Sequence, residues 1–158
     1  MTGATCDDPP MLDRLPAPLL RTRDRGAVGV AALVVRLAAG LPLVLFGIGK
    51  FTSYGSEVTD FRHYGLPLPG AAVVLAGIVE VVGGAAILAG FLTRLAAGVV
   101  ALNLLVALLT AGLVDGGTFH LGVGPALLAA CVVHVVLGGG ALSADARFLQ
   151  RRGDVSRR

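Results

Sequence analysis

The sequence predicts an all-α integral membrane protein: a four-helix antiparallel bundle with a short interfacial helix in the first extracytoplasmic loop. Three observations carry that expectation. Only 15% of the 158 residues are charged and 55% are hydrophobic, with mean hydropathy +0.82, whereas soluble domains carry about 25% charged residues. The apolar residues gather into four runs, each about the 20 residues that a membrane-crossing helix needs. The 23 glycines suit close helix-on-helix packing, and the runs lack the alternation of apolar and polar residues that marks a barrel strand.

Residues 1–26 form a flexible cytoplasmic leader in this reading. They hold Asp7, Asp8, Pro9, Pro10, Pro16 and Pro18, then Arg21, Arg23 and Arg25, a composition too polar and proline-broken for a signal peptide. The membrane domain occupies 27–145, with spans at about 27–49, 70–89, 95–114 and 121–142, and 146–158 is a basic cytoplasmic tail.

The first span reaches roughly 34 Å at 1.5 Å per residue, enough to cross a hydrocarbon core of about 30 Å. It is wholly apolar except for Arg36. Pro42 removes an N–H and predicts a bend near that arginine. Lys50 closes the span, positioned to snorkel to the interface. In 52–69, Tyr54, Val58, Phe61 and Tyr64 recur at helical spacing opposite Glu57, Asp60 and Arg62, the pattern of a short interfacial helix. Gly65 and Leu66-Pro67-Leu68-Pro69 end it.

The second span carries Glu80 near its centre, with Gly77, Gly83 and Gly84 offering a small-residue face for close packing. The turn at 90–94 is so short that the third span must return antiparallel beside it. That span holds Asn103, and Asp115-Gly116-Gly117 turns the chain into a fourth containing Pro125, Cys131 and His134. Ser143 is placed to cap a small helix after Gly138-Gly139-Gly140.

Lysine and arginine concentrate in the leader, the Arg94 turn and the tail, which predicts both termini in the cytoplasm and an even number of spans. The formal net charge of +3 reflects these flanks and gives no nucleic-acid surface. RLAAG recurs at 36–40 and 94–98, but Arg36 lies deep and Arg94 at a border, so the repeat reads as coincidence in an Ala/Leu-rich chain.

Counted from the cytoplasmic helix ends, Arg36, Glu80, Asn103 and His134 all fall within roughly 12–15 Å of one face, which predicts a single intramembrane polar layer. An arginine at such depth costs about 2.5–3.5 kcal/mol on insertion scales, so a partner is required, and Glu80 is the expected one. Asn103 and His134 would satisfy the remaining donors and acceptors. Two readings of the layer stand side by side: a network that only fixes helix register, or a site that binds a polar headgroup such as a quinone carbonyl or relays protons.

Other chemistry finds little support. His120 and His134 are fourteen residues apart, roughly 21 Å along one helix, too far to hold one haem iron between them. No cluster has zinc-like spacing, and no phosphate loop or nucleophile elbow is present. No covalently bound cofactor or metal is expected. Cys6 and Cys131 form no CxxC pair and sit in unlike settings, so thiol catalysis by this chain alone is not expected.

Four stretches, in order, resemble the DoxX family of small four-helix membrane proteins. They are RLAAGLPLVLFGIGKF (36–51), FRHYGLPLP (61–69), GIVEVVGGAAILAGFLTRLAA (77–97) and GGGALSAD (138–145). The resemblance implies a multi-pass protein of the bacterial cytoplasmic membrane and places Arg36, Lys50, Glu80 and Arg94 at the family's polar motif positions. It also implies association with membrane oxidoreductase systems, including a thiosulfate:quinone oxidoreductase subunit and complexes handling oxidative and thiol stress. Where some members carry a histidine near the end of the first helix, this chain reads Leu45-Phe46-Gly47.

The expected role is therefore the membrane subunit of a quinone- or thiol-linked oxidoreductase complex, with a soluble or peripheral partner on the cytoplasmic side. Any enzymatic role would be only as part of such a complex. The alternatives are a small-solute or proton-coupled transporter acting as a homo-oligomer, and a non-catalytic scaffold.

Overall fold

The computed structural model describes residues 26–117, 119–140 and 142–147, with no side-chain detail for Phe119 and His120. The expected leader with Cys6, the tail beyond residue 147 and the His120 side chain lie outside the described residues.

The architecture is all-α, as the sequence predicts. Helix α1 runs Gly26–Thr52, α2 Tyr54–His63, α3 Pro69–Ala89 and α4 Thr93–Val114. A single π-helical turn at Phe119–Val123 leads into α5 at Gly124–Leu137. Helices α1, α3 and α4 are long and apolar enough to cross a membrane. The fourth apolar helix, Leu121–Leu137, is shorter than the expected 121–142 span. It stops because Gly138 adopts a positive φ of 80° that breaks the helical hydrogen-bond ladder.

Each long helix presents one buried stripe and an apolar outer face. On α1 the stripe is Gly29, Ala32, Arg36, Ala39, Gly40, Leu43 and Gly47, a spacing of three and four. Val34, Leu37, Leu41 and Leu45 stand half-exposed on the other side, where lipid would cover them. Pro42 lies inside α1 without ending the helix. The core joins Ala39 and Leu43 of α1 to Ile87 of α3, Ala97, Val100 and Leu104 of α4, and Leu127 and Cys131 of α5. Helix α1 packs chiefly on α3, and α4 on α5.

Glycines fix the register of α1 against α3. A Cβ on Gly47 would lie 2.8 Å from the backbone nitrogen of Val81, and one on Gly84 would lie 3.0 Å from the Cβ of Leu43. Further along, a Cβ on Gly40 would meet Leu88 and one on Gly77 would meet Phe51. Position 47 therefore faces 81 and position 40 faces 88. The end of α3 lies beside the middle of α1, and the first dozen or so residues of α1 overhang it by roughly 18 Å.

The segment after α5 fills that overhang. A Cβ on Gly140 would strike Ala32 and the backbone of Gly29 and Leu33, so this strand of chain lies directly against α1. The expected cap forms: Ser143 Oγ accepts the Ala146 N–H at 3.1 Å. The buried carboxylate of Asp145 then clasps the α3–α4 turn. It accepts hydrogen bonds from Leu92 N–H (2.8 Å), Thr93 N–H (2.9 Å) and Thr93 Oγ1 (2.9 Å), while Asp145 N–H donates to Gly90 O (2.9 Å). These bonds hold Leu92 at a positive φ of 46°, which a non-glycine residue adopts only at a cost.

At Gly47 added bulk has nowhere to go, and at Gly98 nothing lies within 4 Å. Gly47→Ala is expected to destabilise the bundle by about 1–3 kcal/mol. Gly98→Ala should leave stability unchanged or slightly raised. Thermal melting of the two variants in the same detergent checks both outcomes.

Candidate functional site

The polar residues fall into two clusters at opposite ends of the bundle, and the predicted Arg36–Glu80 pair does not form. Arg36 belongs to the overhang. Its Nη1 donates to Gly139 O at 2.9 Å, and its charge is attracted by the Asp145 carboxylate. His134 is fully buried within electrostatic reach of Arg36. Among the described residues, Arg36 Nε and both His134 ring nitrogens make no hydrogen bond. Glu80 lies elsewhere: the register sets it beside Gly47, eleven residues or about 16 Å along α1 from Arg36.

The reason is geometric. Counting depth from helix ends assumes that α1 and α3 end flush, whereas α1 overhangs α3 by about the distance that separates the two clusters. The same counting succeeds for Glu80 and Asn103, because both are measured from one tight turn. Asn103 Nδ2 donates to Glu80 Oε1 at 3.3 Å.

The partner of Glu80 is Lys50. Expected to snorkel outward, it turns inward because it lies three residues after Gly47, on the same side of the helix. Its Nζ is 3.4 Å from Glu80 Oε2 and 3.7 Å from Glu57 Oε2, and it stands 5.9 Å from the centre of the Phe61 ring. Side-chain exposure falls along this chain of charges, from 28% at Glu57 to 16% at Lys50 and 7% at Glu80.

These groups line a cavity of about 350 Å³ opening at the α2 end of the bundle. Glu80 is buried and bonded to the half-buried Asn103, Lys50 stands between Glu80 and Glu57, and Glu57, Asp60 and Tyr64 are contributed by α2 and its end. Phe46, Ala76, Leu104, Ala107 and Leu127 make the walls apolar. The volume and lining suit a small molecule with an apolar body and a few polar atoms. No group of three or more metal-ligating side chains occurs among the described residues.

Helix α2 is fastened over this opening from the far side. Tyr64 Oη donates to Asp115 Oδ2 at 2.7 Å, and His63 Nε2 lies 3.6 Å from Asp115 Oδ1. Burial, and then the hydrogen bond to Asp115, push the Tyr64 hydroxyl well above its ordinary ionisation range. Arg94 stays at the opposite border, where Nη2 donates to Val136 O at 2.8 Å.

The fold and this interior site define a polytopic helical membrane protein with a ligand-sized cavity built around an ion pair. A DoxX family model matches residues 31–113, more than half of the chain, and the chain belongs to the DoxX family. The match takes in α1 to α4 with Arg36, Lys50, Glu80, Arg94 and Asn103, and stops before His134 and Asp145. No curated protein and no solved structure matches the chain.

The charge assignment is open to a double-mutant cycle. Lys50→Met with Glu80→Gln should show a coupling energy of about 1–2 kcal/mol in unfolding, whereas Arg36→Met with Glu80→Gln should be additive within about 0.5 kcal/mol. The Tyr64 contact gives a second test. In a Tyr54→Phe background, absorbance titration should show Tyr64 resisting ionisation beyond the ordinary tyrosine value of about 10. Because its folded value is raised, the contact is fully present below that pH and is lost as pH climbs through the folded value. Asp115→Asn should bring the titration down.

Proposed function

We propose that this DoxX-family chain is the membrane subunit of an oxidoreductase complex and that its cavity seats the headgroup of a quinone. The observation that carries the reading is the Lys50–Glu80–Asn103 group deep in an apolar cavity of about 350 Å³. A quinone ring is flat and apolar with carbonyl oxygens at its edge, and its isoprenoid tail belongs in lipid. Apolar walls with an ammonium and an amide at depth fit that chemistry.

In this role the Lys50 ammonium donates to a ring carbonyl, and a charged donor gives the stronger hydrogen bond. Asn103 orients the Glu80 carboxylate. Phe46 and Leu104 exclude water from the ring face. A bound quinone supplies acceptance of two electrons and two protons.

The arginine distribution supports a placement with both termini in the cytoplasm of a bacterial cell, which would turn the cavity mouth to the outer face of its membrane. A soluble or peripheral redox partner then docks at the Arg94 border. Arg36, His134 and Asp145 have a structural part, holding the chain after α5 against α1 and the α3–α4 turn.

Mass spectrometry of lipids retained by protein purified in mild detergent tests the reading. The wild type should retain quinone. Lys50→Met should lose about ten- to a hundredfold in affinity, the worth of one charge-assisted hydrogen bond at about 1.5–3 kcal/mol. A wild-type preparation free of quinone in a quinone-rich membrane, or equal retention by Lys50→Met, would refute it. Solute flux in proteoliposomes holding this chain alone would favour transport instead.

A further inference from the structure

The charges around the cavity do not balance. Within ion-pair distance stand one ammonium, Lys50, and two carboxylates, Glu57 and Glu80. Asp60 of α2 also lines the space, Asn103 of α4 adds only a neutral amide, and the π-helical turn and α5 contribute Val123, Gly124 and Leu127, which carry no charge. Tyr64, which also lines the cavity, donates to Asp115, and His63 stands 3.6 Å from the same carboxylate. The triad alone thus carries one net negative charge, which water in the open cavity can stabilise. A neutral ligand that fills the cavity removes that water and offers no positive charge in return. An uncompensated charge in an apolar surrounding is costly, and the ordinary remedy is a change of protonation.

We propose that the Glu57–Lys50–Glu80 triad takes up one proton, on Glu80, when a neutral headgroup fills the cavity, so that ligand binding is coupled to proton uptake from the α2 side. This inference rests on the reading of the cavity as a headgroup site.

The geometry selects Glu80 over Glu57. Glu57 keeps contact with water at 28% side-chain exposure, while Glu80 is 7% exposed at the base. Glu80 Oε1 accepts from Asn103, an arrangement that a protonated carboxyl tolerates unchanged. Glu80 Oε2 is ion-paired with Lys50 at 3.4 Å and has no other partner among the described residues, so it is the atom left to carry a proton once the ammonium turns to Glu57 and the ligand. Protonated there, Glu80 becomes a donor, and the carboxyl O–H and the Lys50 ammonium together present two donors to a ligand carbonyl. Lys50 retains Glu57 as counter-charge. Glu57, partly exposed and next to Lys50, leads from water toward the buried carboxylate.

The sign of the linkage follows. A proton taken up on binding makes acid favour the complex, so affinity falls as pH rises, by up to about tenfold per pH unit. The test is titration calorimetry of the full chain in detergent with a short-tailed benzoquinone. It is performed at one pH in two buffers of different ionisation enthalpy, which counts protons directly, and repeated across pH. The wild type should take up close to one proton per ligand and bind more weakly as pH rises. Glu80→Gln should bind with a proton count near zero and little pH dependence, and Glu57→Gln, which also leaves Lys50 with a single counter-charge, should lose most of the uptake.

Wild-type binding with no proton uptake would overturn this proposal and leave the headgroup site standing. An unchanged proton count in Glu80→Gln would overturn the assignment to Glu80. Absence of benzoquinone binding to the wild type would overturn both readings together. The wild-type proton count alone decides the coupling should Glu80→Gln fold poorly.

Discussion

Two buried stripes meet along α1 and α3, and the glycines within them let the backbones approach until Gly47 stands against Val81. This contact sets which charges can find each other. The α1 stripe and its continuation carry two cations, Arg36 and Lys50, fourteen residues or about 21 Å apart, while α3 offers one carboxylate, Glu80. In an apolar surrounding each charge needs a partner, and the register decides that Glu80 serves Lys50. Sliding α3 along α1 by three turns would exchange the partners and empty the cavity of its ionic group.

The cation left over is accommodated by a separate device. Arg36 lies where α1 has outrun α3, and the chain returning after α5 brings a carbonyl at Gly139 and a carboxylate at Asp145 to the same place. Asp145 directs its carboxylate to the backbone N–H groups at the start of α4, which have no partner within the helix. One short segment thus caps a helix, holds a strained turn and balances a buried arginine. The cavity lies toward the other end of the bundle, where α2 lines it.

Much of this was legible in the sequence. The helical class, the long apolar helices, the interfacial helix at Tyr54–His63, the glycine contacts of α3 and the Ser143 cap all follow from local composition and periodicity, which act within a few residues. The Glu80–Asn103 contact was accessible because a tight turn ties their helices together. The Arg36 partner was not, because α1 and α3 are joined through sixteen intervening residues that leave their offset free. Lys50 was misread for a related reason: a lysine at the end of an apolar run has the same local pattern whether it snorkels or turns inward. The available signal was its position, three residues after Gly47 on the α1 stripe. Asp145 had its signal in the closing Ser-x-Asp element, although nothing local says which turn it will cap.

The register itself is open to direct measurement by cysteine cross-linking in membranes, with Cys6 and Cys131 replaced by alanine. The Cβ positions of residues 43 and 84 approach to 3.0 Å, so the pair L43C and G84C should form a disulfide readily under mild oxidation. The pair A32C and G84C, which flush helix ends would bring together, should remain reduced. Efficient cross-linking of the second pair with none of the first would contradict the placement of Lys50 opposite Glu80 and the site built on it.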